Sequence, residues 1–478
     1  MKQSMRAIIP PVAVALLLGV STQSFAQTDQ QSTDLNIAPT EPDGVNNRFI
    51  GKDPVASVVT GKNEISMANA IEIECPALAA HEQILPDKGK DLTQRCSEIV
   101  GASIEGGKTG GGKITSALRE LNIDEAAAQG RGLVEFSSIR AVAVAARLQK
   151  LRLADAGTTG ETVALSNDSG RLNYNFETGG GAGDDGFGRW TVYANGALST
   201  GSRDTTALES GYDMNGGRAT FGTDYRLNDN AFLGASVDYI TNSADFTNGS
   251  KLDTDGFDGT LYGTMYSDSG LYFQGTIGAG SNNYKSHRSI VYSVGGTNVN
   301  QTAVGDPGGD QFFWSAGLGK DINAGNGISG NVSATVDYLD ANIDKFTEQI
   351  SGTGPGFGMN LTVFKQNVKS LRSTVGAQLS KAISTQSGVL SPFIQFDWIH
   401  EFNNDSRTIL ARFASDSITT NQAFQLTTDS PDADYFRLGG GLSAVLPRGL
   451  QAFVSVETVL GVDHLTYYGV TAGISKEL

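Results

Sequence analysis

From Arg189 to the end of the chain, apolar and polar residues alternate. In residues 190–198, Trp190, Val192, Ala194 and Leu198 share one parity, and Thr191, Tyr193 and Asn195 take the other. Successive side chains of a strand point to opposite faces, so this pattern predicts a strand with one apolar and one polar side. It recurs eleven more times. The apolar members are Ala219, Phe221 and Tyr225; Leu233, Ala235, Val237 and Tyr239; Phe257, Leu261 and Met265; Leu271, Phe273 and Ile277; Phe312, Trp314 and Leu318; and Val332, Ala334, Val336 and Tyr338. They continue with Leu371, Val375 and Leu379; Ile394, Phe396 and Trp398; Phe436, Leu438, Leu442 and Leu446; Val454, Val456 and Leu460; and Tyr468, Val470, Ala472, Ile474 and Leu478. Short turns at 228–230, 268–270, 323–327, 384–388 and 447–449 alternate with polar connections at 200–211, 246–256, 285–309, 341–365 and 403–433; the last, 461–464, is short.

The apolar residues are too few for a sandwich core, but they suffice to cover one face. Twelve antiparallel strands with short turns at one end and long loops at the other predict an all-β membrane barrel of up-and-down topology. Both ends of the strand array then lie on the short-turn side, and residues 466–478 close the cylinder. Residues 409–413 read as part of a hairpin beyond the membrane. The opposite parity carries Arg189, Arg218, Asp224, Arg226, Asp238, Asp258, Asp337, Arg372, Asp397, Glu401, Arg437 and Glu457. Arg facing lipid at mid-depth costs about 2–4 kcal/mol, so these charges belong inside. Paired wall charges are favoured there over an ion-selectivity filter.

Upstream the period changes. Residues 65–100 read as a helical hairpin turning at Pro86 and Gly89, and 101–113, rich in glycine, as a flexible loop. Residues 122–153 form the strongest helical stretch, with acids at its start and Arg147, Lys150 and Arg152 at its end, matching the helix dipole. A helix over 134–153 would be about 30 Å long, enough to thread a bilayer-deep lumen. Packing against the preceding hairpin is an equal alternative. Lys2 and Arg6, the apolar run 12–20 and the small residues Ser24 and Ala26 predict a secretory signal. No later run reaches the length of a membrane helix, so integration requires a closed barrel.

Composition sharpens this picture. Sixty glycines, without a repeat period, suit curved strands with a crowded inner face. A net charge of −16 excludes nucleic acid held through its phosphates. The mean hydropathy of −0.19 is compatible with a barrel, in which only alternate residues meet lipid. The two cysteines, Cys75 and Cys96, are expected to pair in an oxidising compartment, two free buried thiols being the alternative.

Candidate chemistry is sparse. Gly107-Lys108-Thr109 resembles the end of a phosphate-binding loop, but Ala102 stands where that loop needs glycine. Asn167-Asp168-Ser169-Gly170 lacks a histidine partner, and His81-Glu82 lacks the second histidine of a zinc protease. Asp253-Thr254-Asp255-Gly256 places Phe257 where calcium needs a ligand, so a solvated loop is preferred. The terminal Ser475-Lys476-Glu477-Leu478 echoes a retention tag only by coincidence. No catalytic, metal or cofactor-binding residue is assigned, and no enzyme activity.

Three stretches carry a resemblance: residues 398–402 (W-I-H-E-F), 434–447 (D-Y-F-R-L-G-G-G-L-S-A-V-L-P) and 453–461 (F-V-S-V-E-T-V-L-G), followed by the terminal strand. With them, residues 188–478 resemble the β-domain of autotransporters, the type V secretion proteins. The resemblance implies an outer-membrane barrel with a preceding helix in its pore, in a Gram-negative bacterium. It also implies insertion by the barrel-assembly machinery, with Tyr468, Val470, Ile474 and Leu478 as the assembly signal, and a monomer surrounded by outer-membrane lipid and lipopolysaccharide. The expected organisation is a signal peptide at 1–26, a disordered segment at 27–64, a small, mainly α-helical passenger or plug at 65–156, a Gly-rich linker at 157–188 and the barrel at 189–478. The implied function is to translocate or display the short N-terminal segment. The alternative is a passive or helix-plugged pore whose N-terminal region stays in the periplasm.

Overall fold

The computed structural model describes residues 36–37, 55–132, 189–419 and 422–478. Twelve long antiparallel strands form the barrel: β1 (Trp190–Arg203), β2 (Tyr212–Asn228), β3 (Ala231–Phe246), β4 (Lys251–Tyr266), β5 (Leu271–Val294), β6 (Gly308–Gly325), β7 (Ile328–Ile343), β8 (Gln366–Lys381), β9 (Gly388–Glu401), β10 (Asp434–Leu446), β11 (Leu450–Leu460) and β12 (Leu465–Glu477). Each pairs with its sequence neighbours. β12 pairs with β1 from Leu465↔Arg203 to Glu477↔Thr191, which closes the cylinder. Closure leaves no unpaired edge, as a strand-built membrane span demands.

The apolar parity faces outward. Leu198, Phe221, Val237, Phe257, Leu261, Ile394, Val456 and Ile474 are all exposed, and the intervening positions are mostly buried or half-buried. Tight turns close one end. Pro447, Arg448 and Gly449 join β10 to β11, with Arg448 and Gly449 at positive φ of 64° and 70°. At the other end the strands overrun the membrane. β5 has 24 residues against the roughly 10 needed to span a bilayer. Its distal half pairs with Thr297–Gly305 as a projecting hairpin. Beside it, Phe346–Thr347, Leu361–Val363, Thr408–Phe413 and Gln422–Thr427 form a separate loop sheet, to which Asn36–Ile37 adds a parallel strand.

On this platform sits a helical unit: α1 (Val55–Val58), α2 (Lys62–Ala80), α3 (Asp87–Glu120) and a helix at 124–132. Cys75 and Cys96 are joined, linking α2 to α3. The unit and the loops share one core, in which Met67, Ile71, Leu78, Leu92 and Leu118 meet Leu361, Val363, Phe413 and Phe424.

Several expectations are corrected. Residues 55–64, expected to be disordered, form α1 and the start of α2, because Val55 and Val58 are buried in the shared core. Residues 101–113, expected to be a loop, continue α3. Glycine costs a helix about 1 kcal/mol per residue. Here it permits close packing, since a Cβ on Gly111 would stand 2.0 Å from the Val58 carbonyl oxygen. The long connection at 246–256 is instead a four-residue turn, in which Gly249 takes a positive φ of 87° and the Asn248 side chain accepts from the Ser250 amide. The connection at 285–309 is largely strand. The predicted helix at 134–153, the linker and the signal lie outside the described residues.

If the outward parity is the lipid face, Leu261→Arg should lower barrel stability by about 2–4 kcal/mol. The check is the unfolding midpoint of purified protein in lipid vesicles, with the solvent-facing Asp253→Arg leaving it unchanged.

Candidate functional site

The site is the barrel interior and its covered mouth. Deep in the wall, the Tyr262 hydroxyl donates to Asp224 (2.6 Å) and lies 2.8 Å from that of Tyr193. Arg218 pairs with Asp238 at 2.9 Å. Asp258, directly across the ladder from Asp238, accepts from Gln311. Arg437 pairs with Asp397 at 2.8 Å, and Glu457 lies close by. Arg372 stands opposite both Asp337 and Glu401 in the ladders and bonds Tyr435. Glu401 accepts from Ser370 and from the Leu371 and Asn403 amides. Arg226 lies over the Phe232 ring at 4.9 Å. Arg189 is exposed at the short-turn rim, where its carbonyl accepts from the Arg226 amide. Of the twelve charges selected by parity, Arg226 and Arg189 sit toward the short-turn rim and the other ten lie further along the wall.

The long-loop mouth differs. Tyr212, Met214, Phe246, Leu252, Tyr284, Ile343, Val368 and Tyr467 form an apolar inner collar around Ala128 of the 124–132 helix. That helix is pinned by charge. Arg131 holds Glu209 through Nε (3.0 Å) and Nη2 (2.5 Å) and donates to the Asp429 carbonyl. Arg203 pairs with Asp429 at 3.0 Å. Arg407 donates to the Ala127 carbonyl at 3.0 Å, and a Cβ on Gly130 would overlap its guanidinium. A larger residue at 130 would therefore displace the Arg407 side chain from the helix.

Two buried acids start this helix. Asp124 accepts from the Ser210 amide at 3.0 Å, and burial raises its carboxyl to about 6. Burial pushes Glu125 up to about 8, with the Ser250 hydroxyl and Arg288 opposing. Above them Arg288, fully buried, pairs with Glu348 at 2.6 Å and donates to the carbonyls of Leu121 and Met359. Sequence reading missed Arg131, Glu209, Arg288, Glu348 and Arg407. The available signal was the run of apolar residues inside supposedly polar loops, such as Ile290, Tyr292 and Val294, or Leu361 and Val363, which need a core of their own. Among the described residues, no cluster of three or more His, Cys, Asp or Glu is placed to hold a metal.

The autotransporter β-domain family matches residues 192–457, more than half of the chain. The chain belongs to that family. Among solved structures it is similar to the translocator domain of the autotransporter NalP from Neisseria meningitidis, at 15% identity over 62% of this chain and 90% of that one (TM-score 0.48). It is also similar to the β-domain of the Bordetella autotransporter BrkA, at 14% identity over 61% and 100% (TM-score 0.43). The transport unit of AIDA-I from Escherichia coli matches at 14% over 68% and 98% (TM-score 0.38). No curated protein sequence matches. The autotransporter β-domain is an outer-membrane β-barrel fold with an N-terminal segment outside the membrane.

The acids make the mouth pH-dependent. Glu125 keeps its proton up to about pH 8 when buried, but loses it near 4.5 in an unfolded chain. A carboxyl raised in this way favours the folded state fully below the lower value, and that contribution fades as pH rises to the upper one. Hydrogen exchange over residues 124–132, corrected for intrinsic rate, should show opening increased by about two orders of magnitude or more between pH 5 and pH 8. Glu125→Gln should remove most of that rise and leave only the smaller part due to Asp124.

Proposed function

We propose that this autotransporter displays its own short helical unit, residues 55–132, on the outer surface of the outer membrane. The observation that supports this is placement. The unit packs on the long-loop end of the barrel, whereas Arg189 and Leu478, the ends of the strand array, lie at the tight-turn end. Tight turns are periplasmic and long loops extracellular in barrels of this kind. A unit retained in the periplasm would meet the other rim, so the periplasmic-plug reading is the weaker one.

In this reading the cargo is small and integral to the translocator. The inward charges act as paired struts that keep the wall closed, since removing one partner of a buried pair strands the other at a cost of several kcal/mol. The outward residues Tyr468, Val470 and Ile474 of β12, with Leu478 just beyond its end, form the surface read by the barrel-assembly machinery, and lipopolysaccharide surrounds the outer half of the apolar belt. Cys75–Cys96 closes in the periplasm, before export.

Display is tested by labelling intact cells carrying Ile84→Cys, a position in the α2–α3 connection that is 74% exposed, with a membrane-impermeant maleimide. Labelling of whole cells is expected. Labelling only after the outer membrane is permeabilised would place the unit in the periplasm and remove the proposal.

A further inference from the structure

The display reading leaves open how an exported segment stays unfolded until it is outside. We infer that residues 55–132 lack a complete core of their own, and that the barrel's external loops supply the missing part and act as the template on which the unit folds. This inference rests on the display reading.

The shared core carries the argument. Of its 35 buried apolar residues among those described, 14 come from the loops. The unit is small, and a domain of that size depends on nearly all of its core. α2 shows the dependence most clearly. Twelve of its 19 residues are buried, and they lie on every side, including Asn63, Ser66, Asn69, Glu72 and Glu74. A helix buried all round needs partners on opposite faces. α3 covers one, and the loop strand Gln422–Thr427 covers another.

Polar groups repeat the pattern. Asn63 donates to the carbonyls of Leu208 and Thr427 (3.0 Å each) and accepts from the Thr427 amide at 2.8 Å. Ser66 Oγ accepts from the Gln425 amide at 2.9 Å. Asp91 accepts from the Gly356 and Gly358 amides at 3.1 and 2.8 Å. The end of α3 is capped by a barrel residue, Arg288, at the Leu121 carbonyl. Each bond links a buried group of the unit to loop backbone or a loop side chain, and buried groups without such partners are strongly disfavoured. The dependence is mutual, because the loop amides at 356, 358, 425 and 427 find their acceptors on the unit. Before the loops are reached, the disulfide can hold α2 beside α3 as a hairpin, but the hairpin's second face stays open to water. Folding is thereby postponed to the outer surface.

The test uses the full-length chain, purified in detergent, with Phe424→Asp. Phe424 is a fully buried loop residue that packs on Phe413. Hydrogen exchange should show α2 and α3 losing protection by about tenfold or more, while the strands facing lipid and the heat-dependent gel shift of the barrel are unchanged. Asn63→Ala combined with Ser66→Ala cuts only the bonds to the loop strand and to the Leu208 carbonyl, all of them to the external loops. It should give a smaller loss of the same pattern, and it serves if Phe424→Asp prevents barrel assembly. Full protection of α2 and α3 in these variants would mean that the unit folds alone, and would overturn the inference. Ile84→Cys labelling in cells reports display separately, so a failure of either idea is distinguishable.

Discussion

A bilayer offers no hydrogen-bond partners, so every amide and carbonyl at membrane depth must be satisfied by the protein. The pairing of β12 with β1 answers that demand, and much else follows from it. Thirteen residue pairs, from Leu465↔Arg203 to Glu477↔Thr191, seal the sheet. Once sealed, the period-two alternation has only two destinations, lipid and lumen. Leu261 and Ile474 go to one, and Asp238 and Arg437 to the other. Charges collected in the lumen are then held by cross-strand partners, which ties the registers of neighbouring strands together.

Closure also accounts for the asymmetry between the ends. At the tight-turn end the chain reverses in a few residues, as at Arg448-Gly449, and little projects. At the other end β5 and its partners continue the ladder well beyond lipid, where outward residues no longer need to be greasy and inward ones no longer need to be polar. The collar of Tyr212, Phe246, Tyr284 and Tyr467 and the loop sheet above it are the result. They present apolar surface that would be a liability if left bare. The 124–132 helix covers the collar and α1–α3 cover the sheet, so barrel and helical unit are built as one packed body at the long-loop end.

The barrel was legible because its rule is local. Each strand announces itself through alternation, and residue parity alone assigned Asp224, Asp397 and Arg372 to the inside. The turns were legible for the same reason. The cap was not, because its determinants are long-range. Arg288 meets Glu348 across 60 residues and Leu121 across 167, and Asn63 meets Thr427 across 364. No local period marks such pairs. The glycine-rich run 101–113 misled for a related reason. Its helical state is set by packing against α1 at Gly111, which outweighs the intrinsic preference of glycine for irregular backbone. The apolar triplets in the loops were the visible trace of this second core, and alternation over three or four residues is too short to show what it packs against.

The account stands on the helical unit being seated on the long-loop end of the barrel. A Cβ added at Gly295, on the β5 hairpin, would stand 3.2 Å from the Glu98 Cβ of α3, close to the spacing of a disulfide. The most direct measurement is therefore oxidation of the Glu98→Cys/Gly295→Cys protein in intact cells, read as altered mobility of the unfolded, unreduced chain. The account predicts an internal cross-link in the assembled protein, lost on reduction. Assembled barrels in which both new thiols remain free would contradict it.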